Sequence, residues 1–378
     1  MGLGSTVKAF GARLPRVPVV FLASIAMLAL SACGSDDNPT GAAGSGDPAD
    51  CGGKKALTAE GSTAQQNAVA MFNQVWGQLC PGKNMSYNPT GSGAGREQFI
   101  AGQVDFAGSD SPLASGQIEA AAARCDGNPA WNLPLVFGPV ALAYNLDGVD
   151  TLVVNGDVLA RIFSGGITRW NDPAIAALNS GATLPDAKIT PIYRADSSGT
   201  TDNFQKYLTA AAPQTWTKGA GSEFQGGAGE GAQKSAGVVQ AVQATPDAIG
   251  YVEKGFADQG GVPYAQIDSG NGAVELTDES AGRAIDAAKF AADGNDLTLD
   301  LNSLYGTSEP GAYPLVLATY EIVCSKGYDP ATAAAIKSFL TVSANQGQSD
   351  QGGLSAAGYV GLPDAFRERL IASVEAIR

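Results

Sequence analysis

The chain reads as an α/β protein on three observations. Short apolar or alternating runs of strand length pass into Gly/Ser/Thr turns and then into stretches with helical spacing. That unit occurs four times before residue 212. Two long apolar extended runs, Trp131 to Asn145 and Pro314 to Cys324, bracket the middle of the chain. Strands alternating with helices build a mostly parallel sheet with helices packed on its faces.

The first unit is Leu57 to Glu60, the turn Gly61-Ser62-Thr63, and then Val69, Phe72, Val75, Trp76 and Leu79 at helical spacing. The second is Met85 to Pro89, Thr90-Gly91-Ser92-Gly93-Ala94-Gly95, and Arg96 to Ala101. In the third, Val104 to Ala107 leads into Gly108-Ser109-Asp110-Ser111, with Pro112 expected at the first turn of a helix ending near Arg124. In the fourth, a strand at Ile189 to Tyr193 leads into Arg194-Ala195-Asp196-Ser197-Ser198-Gly199-Thr200 and a helix from Thr201 to Ala211. Before it come a helix at Val158 to Phe163, a loop at Ser164 to Gly166 and a turn at Trp170 to Pro173. After it come a Gly-rich stretch from Gly219 to Gly231, a helix at Gly237 to Gln243 and a strand at Ala248 to Val252. Helices at Ala331 to Leu340 and Pro363 to Ile377 close the chain. The prolines in the Trp131 to Asn145 run predict a bent or edge strand. The two long runs predict two crossings between two lobes: residues 54–145 with 315–378 form a discontinuous lobe I, residues 146–314 form lobe II, and a hinge lies between them.

Lys8, Arg13 and Arg16 precede an uncharged apolar run from Val17 to Leu30, which ends in Leu30-Ser31-Ala32-Cys33. The run is shorter than the roughly 20 residues a spanning helix needs. It reads as a signal peptide over residues 1–32, with a bacterial lipobox-like ending that makes Cys33 the lipid-bearing first residue of the mature chain. Residues 33–53 follow as a flexible Gly/Ser/Asp/Pro tether. The expected place is the extracytoplasmic face of the cell membrane, held by the lipid.

The formal net charge is −14, with no histidine, and loss of residues 1–32 removes basic side chains only. That excludes nucleic acid as a natural partner. It does not exclude a small anion, because salt screens exposed charges beyond roughly 8 to 10 Å while a buried ligand feels the nearest donors. Cys51, Cys80, Cys125 and Cys324 form an even set in a chain addressed outside the cytoplasm, so two disulfides are expected. Of the three connectivities, Cys51 with Cys80 is favoured, because Cys51 precedes the first strand and Cys80 ends the helix that returns beside it. Cys125 then pairs with Cys324. A zinc site has neither a C-x-x-C pair nor a histidine to build on, so no metal and no cofactor are expected.

Four strand ends that open into helices can converge on one cleft, because ligands sit beyond the carboxyl ends of strands in open α/β sheets. The turn at 194–200 suits an anion: Arg194 offers a planar fork of donors, and the Ser-Ser-Gly-Thr turn exposes N–H groups at the positive end of a helix. Enzymatic readings fit poorly. A Ser/His/Asp triad lacks its base, Lys206 lies too far along its helix to serve Ser198, and neither GxxxxGK[ST] nor GxGxxG is present. Asp110 discriminates: a carboxylate aimed at an anion is unfavourable unless the anion carries a proton, which phosphate does and sulfate at neutral pH does not. A charged acceptor for that proton contributes roughly 1.5 to 3 kcal/mol. Asp110 as a simple helix cap is the plainer alternative. Asp196 is expected to brace Arg194, and Trp76, Trp131, Trp170 and Trp216 read as core or hinge packing.

Glu60-Gly61-Ser62-Thr63, Thr90 to Gly95, Asp105 to Leu113, Arg194 to Thr201 and Ala248 to Glu253, in this order, resemble the PstS family, the periplasmic phosphate-binding proteins of high-affinity phosphate ABC importers, and especially its actinobacterial lipoproteins. The resemblance covers nearly the whole mature chain. It implies a two-lobed class II periplasmic-binding-protein fold that closes on its ligand and docks on the importer's membrane subunits. It also implies phosphate contacts from Thr63, the Ala64 main chain, Ser92, Asp110, Arg194, Ser198, Gly199 and Thr200, with Asp196 in support. Where some relatives have phenylalanine after the first-turn threonine, this chain has Ala64. The expectation is a monomeric, non-enzymatic binding protein. The alternatives are a surface adhesin or signalling lipoprotein that keeps the fold, and a receptor for another oxyanion.

Overall fold

The computed structural model describes Gly2 and residues 50–307, 309–349 and 351–378. The expected signal peptide, Cys33 and the tether up to residue 49 lie outside the described residues. One eight-stranded sheet organises the rest. Its strands are β1 (Ala56–Gly61), β2 (Asn84–Pro89), β3 (Phe106–Ser109), β4 (Ala130–Asn145), β5 (Thr190–Arg194), β6 (Glu230–Ala232), β7 (Ala248–Glu253) and β8 (Val316–Cys324), in the spatial order β2-β1-β3-β8-β4-β7-β5-β6. The pairs β1–β2 and β1–β3 are parallel, as are β7–β5 and β5–β6; β3–β8, β8–β4 and β4–β7 are antiparallel. Two parallel sets are therefore joined by two long antiparallel strands in one mixed sheet.

β4 and β8 are the two long extended runs read from the sequence, and both are buried throughout apart from the ends of β4. Nine of the first ten residues of β4 pair with β8, all but Leu135, as far as Pro139 opposite Val316, and the rest pair with β7, from Val140 opposite Glu253. Of the two strand types that the prolines predict, bent or edge, the edge strand is ruled out, because β4 is central. Pro134 sits opposite Tyr320, where the register shifts between Thr319 and Tyr320, and Pro139 sits at the change of partner. A residue with no N–H is tolerated at such breaks in a ladder.

In the first half the helix Gln66–Leu79 buries Ala68, Val69, Phe72 and Trp76, one stripe at helical spacing. Trp76 packs edge-on against Phe339 of the helix Pro330–Ala344, with ring centroids 5.5 Å apart, and its Nε1 donates to Ser338 Oγ at 2.9 Å. In the second half Phe204 of the helix Gly199–Ala211 stacks on Tyr251 of β7 at 4.4 Å, and Phe163 meets Phe204 edge-on at 4.8 Å. Trp170 and Trp216 are fully buried, as core residues. Short elements without sustained periodicity fill 254–313. Two small sheets involve them, Val153–Val154 with Gln266–Asp268 and Ala273–Val274, and Lys289–Phe290 with Leu299–Asp300. The second of these packs back on the first half: Phe290 lies 4.6 Å from the Phe366 ring, and Asp296 accepts from Asn132 N at 2.8 Å.

Another expectation fails. Pro112 is not at a helix first turn; the helix begins with a 3₁₀ turn at Ser115–Gln117 and continues over Ile118–Arg124. Side-chain bonds hold the intervening chain extended: Ser111 Oγ donates to Asp202 at 2.5 Å, and Leu113 N donates to Asn132 Oδ1 at 2.9 Å. Asp110 is accordingly no helix cap. Both expected disulfides are present, Cys51–Cys80 with Cα atoms 5.3 Å apart and Cys125–Cys324 with 5.4 Å.

Cys125–Cys324 spans 199 residues of sequence and Cys51–Cys80 spans 29, and cross-links that close longer loops restrict the unfolded chain more. Replacing Cys125 and Cys324 by serine is expected to cost about 3 to 5 kcal/mol, more than the same change at Cys51 and Cys80. Chemical denaturation of the two variants under oxidising conditions checks the order.

Candidate functional site

The carboxyl ends of β1, β2 and β3 face those of β5, β6 and β7, and the expected site residues lie in the turns between. Ser62, Thr63 and Ala64 follow β1, Ser92 opens the helix after β2, and Asp110 follows β3. Arg194 ends β5, Ser198 caps the next helix, and Gly199 and Thr200 form its first turn. All of these are buried.

Asp110 is the centre of the first group. Ser62 Oγ donates to its Oδ1 at 2.5 Å and Ser92 Oγ to its Oδ2 at 3.0 Å. Burial and the nearby Glu253 carboxylate push its pKa up, while the two serine hydroxyls and Arg194 pull it down; the result is a pKa of about 7. Its main-chain oxygen accepts from Asn203 Nδ2 at 2.6 Å, so the second half holds the backbone that aims it. Ala64 N donates to Ser62 Oγ at 3.0 Å, and Ala64 O accepts from Tyr359 at 2.6 Å, which fixes the first turn from both sides.

Arg194 is the centre of the second group. Its Nε donates to Asp196 Oδ1 at 2.7 Å and its Nη2 to Asp196 Oδ2 at 2.5 Å, a two-bond fork. Burial works against the guanidinium charge, but Asp196 more than offsets it and keeps the group above its ordinary range. Asp196 in turn is held below the usual carboxylate range against its own burial, first by Arg194 and then by Lys234 N at 2.9 Å. Nη1 reaches Ser235 Oγ at 3.4 Å, which leaves N–H groups on both terminal nitrogens for a ligand. Ser198 Oγ accepts from Thr201 N at 3.2 Å as a helix cap and keeps its own hydrogen free to donate. Thr200 Oγ1 donates to Glu253 Oε1, so its main-chain N–H remains as its donor.

The two groups touch. Thr63 Oγ1 lies 2.7 Å from Ser235 Oγ, and Gly93 N donates to Ser197 O at 3.1 Å. A Cβ on Gly199 would stand 2.6 Å from both Asp110 Cβ and Ser92 Oγ, too close for any real side chain. The turns that carry Thr63, Ala64, Ser92, Asp110, Arg194, Ser198, Gly199 and Thr200 thus meet in one place, with Asp196 bonded to Arg194 through both carboxyl oxygens. Sequence reasoning missed Ser235 and Glu253. Glu253 ends the strand read as Ala248 to Val252. Ser235 follows the three-residue strand β6, hidden in the Gly-rich stretch, and the only signal for it is another strand-to-helix turn, Gln233-Lys234-Ser235. Among the described residues there is no acidic or cysteine cluster that could hold a metal ion, and no helix long and apolar enough to cross a membrane.

A family model described as a PBP superfamily domain matches residues 38–346. The phosphate-binding protein PstS 3 of Mycobacterium tuberculosis is 50% identical over 356 residues, 93% of this chain and 95% of that one. PstS 2 of the same organism is 47% identical over 364 residues, 95% and 97% of the two chains, and PstS 3 of Mycobacterium leprae is 46% identical over 367. Among solved structures, a high-affinity periplasmic phosphate-binding protein, PfluDING, superposes with a TM-score of 0.66 at 22% identity, covering 84% of this chain and 93% of its own. A phosphate-binding protein from Stenotrophomonas maltophilia does so with 0.65 at 20% identity, covering 84% and 94%; both show likeness of fold. With this identity over nearly its full length, the chain belongs to the PstS family of phosphate-binding proteins, within the PBP superfamily.

Proposed function

We propose that this protein captures inorganic phosphate between its two halves and delivers it to the membrane subunits of an ABC importer, by binding and closure with no covalent chemistry. It works at the extracytoplasmic face of the cell membrane as a monomer, anchored by a lipid on Cys33. The lobes are residues 54–145 with 315–378, and 146–314, and they pivot on β4 and β8. Thr63, the Ala64 main chain and Ser92 contact phosphate from one side, and Arg194, Ser198, Gly199 and Thr200 from the other. Asp110 accepts the ligand's own proton, and Asp196 holds Arg194 in place.

The observation that carries this reading is the composition of the site around Asp110. One guanidinium, turn hydroxyls and the N–H groups of a helix start suit a tetrahedral anion, and the carboxylate among them suits only an anion that can donate. The names of the relatives, all phosphate-binding proteins, support the same ligand. In the closed cleft water is excluded, so each hydrogen bond acts in a lower dielectric. Bridging both halves is what stabilises closure.

Calorimetric titration of phosphate-stripped protein with phosphate and sulfate tests the function, and equal affinity for the two anions, or none for phosphate, overturns it. Arg194→Ala is expected to weaken phosphate binding by about 3 kcal/mol or more, because the ligand loses its guanidinium donors and the half-buried Asp196 carboxylate is left without its partner beside the anion. Asp110→Asn is expected to narrow the preference for phosphate over sulfate by roughly 1.5 to 3 kcal/mol; an unchanged preference removes the role given to Asp110. Gly199→Ala places a methyl group between the halves and is expected to weaken phosphate at least tenfold with little change in melting temperature. The folded pKa of Asp110, about 7, lies above that of an unfolded aspartate. Its stabilising contribution is therefore full below about pH 4 and lost as pH rises through 7. Melting of the ligand-free protein should fall over that window, and less steeply in Asp110→Asn.

A further inference from the structure

Behind the Asp110 turn, on the same face of the sheet, lies a second buried acid that takes no part in the contacts above. Glu321 of β8 is fully buried and stands directly opposite Gly108 of β3. Cross-strand partners point to the same face. On that face a Cβ at Gly108 would lie 1.8 Å from Gln65 Nε2 and 2.5 Å from Tyr87 Oη, so the Gln65 amide fills the space that Gly108 leaves beside Glu321. Three atoms in this pocket are buried without a hydrogen-bond partner: both carboxyl oxygens of Glu321, and Gln65 Oε1.

The donor count resolves them. Tyr87 donates its only hydroxyl proton to Ser62 O at 2.7 Å, so at 3.2 Å from Gln65 it can only accept, and Gln65 must present its NH₂ side to Tyr87. Gln65 Oε1 then needs a donor, and no other group among the described residues supplies one. We propose that Glu321 is a neutral carboxylic acid paired with the Gln65 amide in a two-bond ring, its O–H donating to Gln65 Oε1 while the second Gln65 N–H serves its carbonyl oxygen, and that this proton protects anion binding at Asp110. The ring satisfies all three atoms at once. An ionised Glu321 leaves Gln65 Oε1 facing negative charge and adds a second charge behind Asp110.

The electrostatics agree in direction: burial, with the Asp110 carboxylate adding to it, raises the Glu321 pKa to about 8, against a lowering by Gln65. The titratable groups on this side are Tyr87 of β2, Asp110 after β3, and Tyr359, with Glu253 and Arg194 acting on Asp110. Asp202, paired with Lys206, and Asp296 act instead on Tyr320, on the other face of β8. The charged residues of the helix Asp278–Asp286, also packed near β8, are exposed. Glu321 is thus a positioning residue for the site, acting through Gln65, Tyr87 and the Ser62 turn. The proposal rests on the phosphate reading for its functional half only.

The test compares the full mature protein with Glu321→Gln, whose amide can still form a two-bond ring but cannot ionise. Phosphate affinity is measured by calorimetry from about pH 6 to about pH 9.5; titration of the ligand itself cancels in the ratio of the two proteins. The ratio of variant to wild-type affinity is expected near one at the acid end and to rise about tenfold at the alkaline end, the scale of one added charge near a buried anion at an effective dielectric of about 20. A ratio that stays flat overturns the functional half. Infrared spectra of the ligand-free proteins near pH 6, both carrying Asp110→Asn so that the Asp110 carboxyl adds no band, decide the proton separately: a protonated-carboxyl band present with Glu321 and lost in Glu321→Gln is expected, and its absence with Glu321 in place overturns the ring. If neither protein binds phosphate while the band behaves as expected, the phosphate reading fails and the ring stands. Glu321→Leu, which strands Gln65 Oε1, is expected to weaken phosphate at every pH; full affinity in that variant counts against the positioning role.

Discussion

Everything in the molecule follows from β4 and β8 running antiparallel through the middle of one sheet. Because β4 exchanges one partner for another at Pro139, the parallel strands on its two sides point their carboxyl ends at each other. Helix starts, free N–H groups and turn hydroxyls collect at those ends in any α/β sheet. Here two sets of them are turned inward onto one small volume. A single parallel sheet would offer one such row, facing open solvent.

Electrostatics then does what the overall charge would seem to forbid. The chain is strongly acidic, yet the interior of the site holds a guanidinium fixed by its own carboxylate and a second carboxylate surrounded by hydroxyls. The Arg194–Asp196 pair is close to neutral as a unit, so the attraction for an anion comes from the N–H groups that the pair leaves pointing inward and from the helix start at Gly199. Distant surface charge is screened by salt, whereas these donors are not. Selectivity in such a site comes from the donor and acceptor inventory rather than from net charge.

Most of this was legible in the sequence, for physical reasons that also explain the exceptions. The strand-turn-helix units at 57–79, 85–101 and 189–211 carry both hydrophobic period and turn chemistry, so elements and site residues could be read together. Asp196 was legible because a carboxylate two residues beyond an arginine at a strand end has few other places to go. Pro112 misled because local preference for a helix start was overridden by tertiary bonds from Ser111 and Leu113. Pro134 and Pro139 misled only in allowing an edge strand, because a central strand can carry prolines where its ladder is already broken. Ser235 and Glu253 were missed for a different reason: the strand before Ser235 is three residues long and leaves only a weak turn signal, and no local pattern assigns a role to a side chain whose partners lie about forty or fifty residues away.

The absence of histidine acquires a meaning from the buried acids. Near neutrality an ordinary protein buffers through imidazole, and this chain has none. By stripping water from Asp110 and Glu321 the fold moves two carboxyl groups into the range that imidazole normally occupies. That upward push belongs to the fold and not to the amino-acid composition, and it disappears when the chain unfolds and water returns to both groups.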